Sequence, residues 1–500
     1  MAVFRVFRVV GICALAVCGC ATPHPIPWDP PVPWQPDQAL LLPPAKPAPV
    51  TTSTSATEFA SECVIPASGR GPGSAPPAEP PALPTPAARP ADPPSPDPAP
   101  VGLNLQEAPA PKDPTIKLRG RIEADSDTVT QSPKDKALFG NFQDAVGFRR
   151  LRLGSEGTAG DVTRWVAEVD FAGGNVALKD AFLAIDHLPY LREIRVGHMA
   201  EPFSLEGQIR SVWFPFTERS PAFTFDPARN WGVGFFSYTD DQRLVVQAGL
   251  FKSGTDSTGT DVGDGNDLAY TARIVGLPWY EETDDSLHML HVGGAASQRY
   301  AKDNTVSFNQ GPQSSLLQSG SDNPRTPFVP AVSIPANQYQ LYNLQSAVIL
   351  GPLSFQAEWD ATRVEQIGGG PVVLSGWYVQ ASYFLTGEHR NYNREVGTFW
   401  EPTVRRPFVC TDGRSAVAQG PGAWEVAARL AYLDFDSPNL PRGSNGLPVG
   451  TRQTTITVGL NWYLNDNARI MVDWVHTIPT FPPFGSSAAD LVTVRSAVFW

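Results

Sequence analysis

Residues 453–464 read Gln-Thr-Thr-Ile-Thr-Val-Gly-Leu-Asn-Trp-Tyr-Leu. Ile456, Val458, Leu460, Trp462 and Leu464 fall at every second position, with Thr455, Thr457, Gly459 and Asn461 between them. A period of two gives a strand one apolar and one polar face. Strands of a soluble sandwich commonly have about five or six residues, whereas about ten are needed for a tilted strand to cross a bilayer. This run matches the second case.

The same pattern recurs on both sides of it. In residues 423–434, Trp424, Val426, Ala428, Leu430 and Tyr432 oppose Glu425, Ala427 and Arg429. Phe355, Ala357, Trp359 and Ala361 oppose Ser354, Gln356, Glu358, Asp360 and Thr362, and Trp165, Val169 and Phe171 oppose Arg164, Glu168 and Asp170. No stretch after Thr115 sustains a helical period. A chain that crosses a membrane without helices must close as a barrel to satisfy its backbone. At about 24 residues per strand and connection, the segment 115–500 supplies about 16 strands, an even number that leaves an aqueous channel. The expected fold is therefore all-β, a transmembrane antiparallel barrel. At the C-terminus Val492, Val494, Val498 and Trp500 share a face, and the chain stops on an aromatic residue, as outer-membrane barrels typically do.

Composition agrees and divides the chain. Of 51 prolines, 28 lie between Pro23 and Pro114, a stretch with no long apolar run. It cannot bury a core and is expected to be a disordered, extended tether over residues 22–114. Residues 1–21 have the layout of a signal peptide: two arginines, a short apolar run from Val9 to Val17, then small residues. Cys20 stands where a lipobox would place its acylated cysteine, and ordinary cleavage after Ala21 is the alternative. Cys63 and Cys410 are read as incidental thiols rather than a disulfide. The first 114 residues hold 6 basic and 9 acidic side chains of the chain's 38 and 50, which leaves 32 against 41, a net −9, in the structured part. That balance argues against a nucleic-acid partner.

Seven segments in order, RRLRLGSEG (149–157), EVDFAGGNVALKDAF (168–182), RVGHMAEPFSLE (195–206), NWGVGFF (230–236), GWYVQASYFLTGEHRNYNR (376–394), GAWEVAARLAYLDF (422–435) and VGLNWYLNDNARIMVDWV (458–475), resemble the phosphate-selective porin O and P family. The resemblance implies a 16-stranded outer-membrane barrel, usually trimeric, that passes phosphate or related anions along arginine and lysine side chains. Where the family's pattern has a basic residue before Glu-Pro-Phe, this chain has Ala200.

Selective passage of an oxyanion needs several fixed cationic donors along the pore, and arginine's fork suits them. Alternation puts Arg150, Arg152, Arg164, Arg195, Arg243, Arg273, Arg299, Arg429, Arg469 and Arg495 on the inner face. The same face receives Glu168, Asp170, Glu358, Asp360, Glu425 and Asp473, so a wall neutralised by cross-strand pairs is the competing reading. Residues 198–230 are too long for an ordinary connection and are expected to fold inward as a constriction loop. That loop carries Arg210, Arg219 and Arg229 against Glu201, Glu206, Glu218 and Asp226.

Asp256, Asp261, Asp264 and Asp267 cluster among glycines but lack the spacing of a calcium loop, and a surface loop is expected. His288 and His291 are three apart on an expected strand and should face opposite ways. No cofactor, metal or enzymatic motif stands out among the seven histidines. The functions left open are an anion-selective porin, a general or cation-preferring porin, and an anchor that ties the outer membrane to the cell wall through residues 22–114.

Overall fold

The computed structural model describes residues 113–500 apart from residues 175, 255–256, 263–266, 318–326, 412–415, 419, 441–449 and 482–483. The export segment with Cys20, the proline-rich stretch with Cys63, and the acidic residues Asp256 and Asp264 lie outside the described residues.

Sixteen antiparallel strands form the wall. They are β1 (Thr115–Gln131), β2 (Ala145–Ala159), β3 (Thr163–Asp170), β4 (Ala177–Leu188), β5 (Arg192–Ala200), β6 (Arg229–Tyr238), β7 (Leu244–Lys252) and β8 (Leu268–Thr283). There follow β9 (Ser286–Tyr300), β10 (Val329–Leu350), β11 (Leu353–Gln366), β12 (Val372–Phe384), β13 (Ala423–Asp434), β14 (Arg452–Asn465), β15 (Ala468–Phe481) and β16 (Ala489–Phe499). Each pairs with its neighbour in sequence, and β16 pairs with β1 from Ala489↔Gln131 to Phe499↔Arg121, so the sheet has no free edge. Closure is what a membrane demands of strands.

The alternation read from the sequence is an inside–outside division, inverted relative to a soluble protein. On β14 Val458 is 47% exposed, while the inward Glu425 and Asp473 on the neighbouring strands and Arg495 on β16 are 0% exposed. Leu344, Leu183, Val373 and Val498 are similarly bare on the outer face. A band of apolar side chains turned outward around a charged interior is stable only with lipid outside.

The two ends of the barrel differ. At the end where β1 begins and β16 stops, connections are short: 160–162, 189–191, 239–243, 284–285, 351–352 and 466–467. The exception at this turn end is the connection 385–422 between β12 and β13. At the opposite, loop end lie the long connections 201–228 and 301–328. The loop end also carries helix α1 (Pro133–Phe139), N-capped by Ser132, whose hydroxyl accepts from the Asp135 amide at 3.1 Å.

Candidate functional site

The segment 201–228 leaves β5 and folds into the lumen, as its length suggested. A buried segment must satisfy its backbone, and here the wall and the inward connection 385–422 supply the partners. The Leu205 and Glu206 amides, at the start of the single-turn helix α2 (Leu205–Gln208), donate to the Glu358 carboxylate at 2.7 and 2.8 Å. The carbonyls of Trp213, Phe214 and Pro215 accept from Arg390, Arg469 and Asn461 at 2.9, 2.8 and 2.8 Å. Thr217 donates to Asp473 through its amide and its hydroxyl, at 2.6 and 2.8 Å, and its carbonyl accepts from Arg495 at 2.5 Å. At the stem, Glu201 is gripped by Arg299 at 2.8 Å, Thr271 at 2.5 Å and Asn230 at 2.7 Å.

Two other connections reach inward. From 301–328, Gln313 accepts from Arg429 at 3.2 Å and the Ser314 hydroxyl donates to Asp127. From the turn end, 385–422 sends a hairpin of Tyr392–Asn393 and Thr398–Phe399 into the barrel. The carbonyls of Val396 and Gly397 accept from Arg273 at 3.0 and 2.7 Å, and Trp400 packs on Trp213 with ring centroids 4.4 Å apart.

Between these segments and β1–β6 remains a cavity of about 370 Å³. Eight arginines line it, Arg119, Arg121, Arg152, Arg164, Arg195, Arg210, Arg219 and Arg229, against three acids, Glu156, Glu168 and Asp180. Most of these arginines are paired. Arg152 meets Asp170 at 2.7 Å and Glu168 at 3.1 Å; Arg164 meets Asp186 at 3.0 Å and Glu193 at 2.5 Å. Arg229 takes Asp180 with both nitrogens at 3.0 Å. Arg195 holds Glu193 and stacks 4.1 Å over Phe236.

Arg210 and Arg219 differ. Among the described residues neither has a carboxylate within ion-pair distance. Arg210 lies 5.0 Å over Trp213 and is exposed to the lumen. Arg219 lies 4.8 and 4.2 Å over Phe214 and Phe223, and among the described residues its guanidinium makes only long hydrogen bonds, to the Glu206 and Ile209 carbonyls, both at 3.4 Å. Burial brings the Arg219 guanidinium down to about 10, so it remains charged at neutral pH. A guanidinium stacked on a ring keeps its N–H edges free for an anion.

The remaining sequence candidates fall elsewhere. Arg150 is buried against Glu123 at 2.5 Å. Arg243 sits exposed at the turn end and donates to the Leu277 and Tyr280 carbonyls at 3.2 and 3.3 Å. Arg273 and Arg429 are buried and serve as fasteners, Arg273 for the hairpin and Arg429 for the Glu218 carbonyl at 3.1 Å. Of the acids, Glu425 pairs with Arg390 at 2.7 Å and Asp360 accepts from Asn343 at 2.8 Å. In the acidic loop, Asp261 and Asp267 are held by Lys302 and Lys252. His291 is buried against the Tyr392 hydroxyl at 2.6 Å, and His288 is half-buried.

Three lumen features escaped the sequence reading. Arg119 and Arg121 follow from alternation on β1, where Ile116, Leu118 and Ile122 face outward. Arg149 does not, because β2 bulges there: Glu123 pairs with Arg150 and Ala124 with Phe148. The extra residue lets two consecutive arginines turn inward, Arg149 to Glu218 and Arg150 to Glu123. The inward hairpin of 385–422 was signalled only by the length between two strands.

Comparison with known proteins follows the same lines. The sequence pattern of the family described as "Phosphate-selective porin O and P" matches residues 116–477. Porin O of Pseudomonas aeruginosa PAO1 is 24% identical over 390 residues, 74% of this chain and 84% of that protein. An uncharacterized protein of Caulobacter vibrioides is 27% identical over 370 residues, 72% of this chain and 68% of its own. Among solved structures, in-vitro folded OmpT of Vibrio cholerae is similar with a TM-score of 0.45 and 12% identity, covering 79% of this chain and all of that one. The outer-membrane channel DcaP of Acinetobacter baumannii has the same TM-score and identity over 78% of this chain and 98% of its own.

Proposed function

Because this chain belongs to the phosphate-selective porin O and P family, and is thus a porin of the Gram-negative outer membrane, we propose that its channel selects small anions, phosphate among them. In this reading Arg210 and Arg219 bind the solute, and Arg121, Arg152, Arg164, Arg195 and Arg229 supply the positive wall around them. The observation that carries it is the charge around the cavity, eight arginines to three acids, with two of the arginines having no carboxylate within ion-pair distance among the described residues. The net −9 of residues 115–500 does not oppose this, because many of the acids are engaged in fixing the inward segments. A low-dielectric rim that focuses positive potential favours anion entry, and several moderate sites in sequence let the ion leave. The family and the barrel support reading the protein as a channel.

The test is a planar bilayer under a salt gradient, followed by added phosphate. Anion-selective current that phosphate blocks supports the reading; unselective or cation-selective current removes it and leaves a general porin, and no current leaves an anchor. We propose further that the chain acts as a homotrimer, which cross-linking in native membranes checks. The expected roles of residues 1–21 in export and 22–114 in cell-wall contact are tested by lipid labelling and by co-sedimentation of the full chain with peptidoglycan.

A further inference from the structure

The cavity is not lined by charge alone. At about 370 Å³ it reaches the range in which proteins hold organic ligands, from about 300 Å³ upward. Its lining includes the half-buried Val396 and Trp400, both contributed by the inward hairpin connection from the turn end, and Ala200 at the loop-end extremity of β5. Such side chains give a hydrated inorganic ion nothing to bond to.

Their placement relative to the free cations is specific. Trp213 contacts both Arg210 and Trp400: the guanidinium lies 5.0 Å from the Trp213 ring centroid and the Trp400 ring 4.4 Å from it. Trp213 is itself 2% exposed, and its buried indole N–H has no acceptor among the described residues. A cation, an unused donor and an aromatic wall thus lie within one small cluster.

From this, and resting on the anion reading above, we infer that the preferred solute is an organic oxyanion, a phosphate monoester or similar head group carrying a flat apolar body. The oxygens meet Arg210 and Arg219, and the body lies against Trp400 and Val396. The hairpin from the turn end is then a specificity element and not merely a filler.

The experiment compares block of single-channel current by phenyl phosphate and by inorganic phosphate in the full-length protein. The ratio of half-blocking concentrations is expected to favour the ester about tenfold, the worth of one good aromatic contact. Trp400→Ser is expected to bring that ratio close to one, Val396→Ser to lower it, and Arg210→Gln to weaken both probes. Should Trp400→Ser fail to give folded channels, Val396→Ser carries the test. Inorganic phosphate blocking as well as the ester would overturn this inference while leaving the anion channel intact. Retention of the full ratio in both the Trp400 and Val396 variants would also overturn it. Current that is unselective and blocked by neither probe would remove the anion site and this inference together.

Discussion

Gly120 on β1 and Trp500 at the chain end seal the barrel: each backbone amide donates to the other's carbonyl at 3.0 Å, and a Cβ at position 120 would lie 2.4 Å from the indole. The aromatic terminus is seated because its opposite residue has no side chain. Gly120→Leu must push the ring and the Arg152 carbonyl, 2.9 Å from that Cβ, aside. Overpacking of this kind costs about 1–3 kcal/mol. The folded fraction, read as the heat-modifiable band on electrophoresis, is expected to fall clearly below wild type; an unchanged fraction would show that the ring moves freely.

Among the described residues Arg210 and Arg219 line the cavity with no carboxylate within ion-pair distance, so neutralising them should alter selectivity more than stability. Arg210→Gln and Arg219→Gln are each expected to shift the reversal potential toward cations and to raise the half-blocking phosphate concentration about tenfold, a charge-assisted bond of about 1.5–3 kcal/mol being lost. Arg243→Gln, at the exposed turn end, is the comparison and should shift neither. Equal shifts for all three would mean that selectivity comes from the overall field rather than from these two side chains.

How much of this could be read in advance follows from what determines each feature. Wall orientation depends only on a period of two, and Val458 outside with Asn461 inside were legible from residues 453–464 alone. The even strand number followed from length, and the inward loop from a spacing too long for a turn. Pairing was not legible, because which arginine meets which acid depends on register across strands far apart in sequence: Arg495 reaches Asp125 with two bonds of 2.7 Å. Arg149 was hidden by a bulge that breaks the very alternation used to read β2. Arg429 and Arg273 have the residue type and the face of a solute ligand, yet they are spent on backbone carbonyls of the inward segments, Glu218 for the one and Val396 and Gly397 for the other, and which carbonyl an inward segment brings to which arginine no local pattern announces.

The bulge itself makes a prediction. Burial alone would raise the Glu218 carboxyl, but Arg149 beside it, with Arg150 and Arg495, holds it down at about 2. A carboxylate lowered in the folded state contributes stability that is full above its ordinary value near 4.5 and is lost as pH falls through about 2. Loop tethering at Glu218 should therefore persist from pH 7 to about 4 and fail only in stronger acid. Glu218→Gln should lower thermal stability across that whole interval, since it leaves Arg149 without its counter-charge. Circular dichroism melts at pH 7 and pH 4 check this, and a variant as stable as wild type at both would sink it.

At the stem of the loop, Glu201 and Arg299 have side chains 0% and 2% exposed and meet at 2.8 Å. Removing one member of such a pair leaves the other charge buried, typically at a cost of about 3–5 kcal/mol. Glu201→Gln also weakens the bond from Thr271. The expected result is a loop that leaves its seat, seen as open-channel flicker and larger conductance steps. Quiet traces at wild-type conductance would show that the grip of Glu358 and Asp473 further along suffices without the stem.

Arg273 poses the corresponding question for the turn end. It is 2% exposed and has no acid partner among the described residues; its charge is met by the Gln345 oxygen at 2.8 and 3.1 Å, the Gln247 oxygen at 3.0 Å and the two hairpin carbonyls. Bonds from a charged donor are worth about 1.5–3 kcal/mol each, and two of them hold Val396 and Gly397 at the floor of the cavity. Arg273→Gln shortens the side chain and withdraws both, while the wall glutamines can still bond to the new amide. The hairpin is then expected to loosen and the floor to open toward the turn end, so unit conductance should rise without loss of the folded band. A conductance equal to wild type would mean that the Trp213–Trp400 contact and the Tyr392–His291 bond fix the hairpin on their own, and the double variant Arg273→Gln with Tyr392→Phe would then be the one to widen the pore.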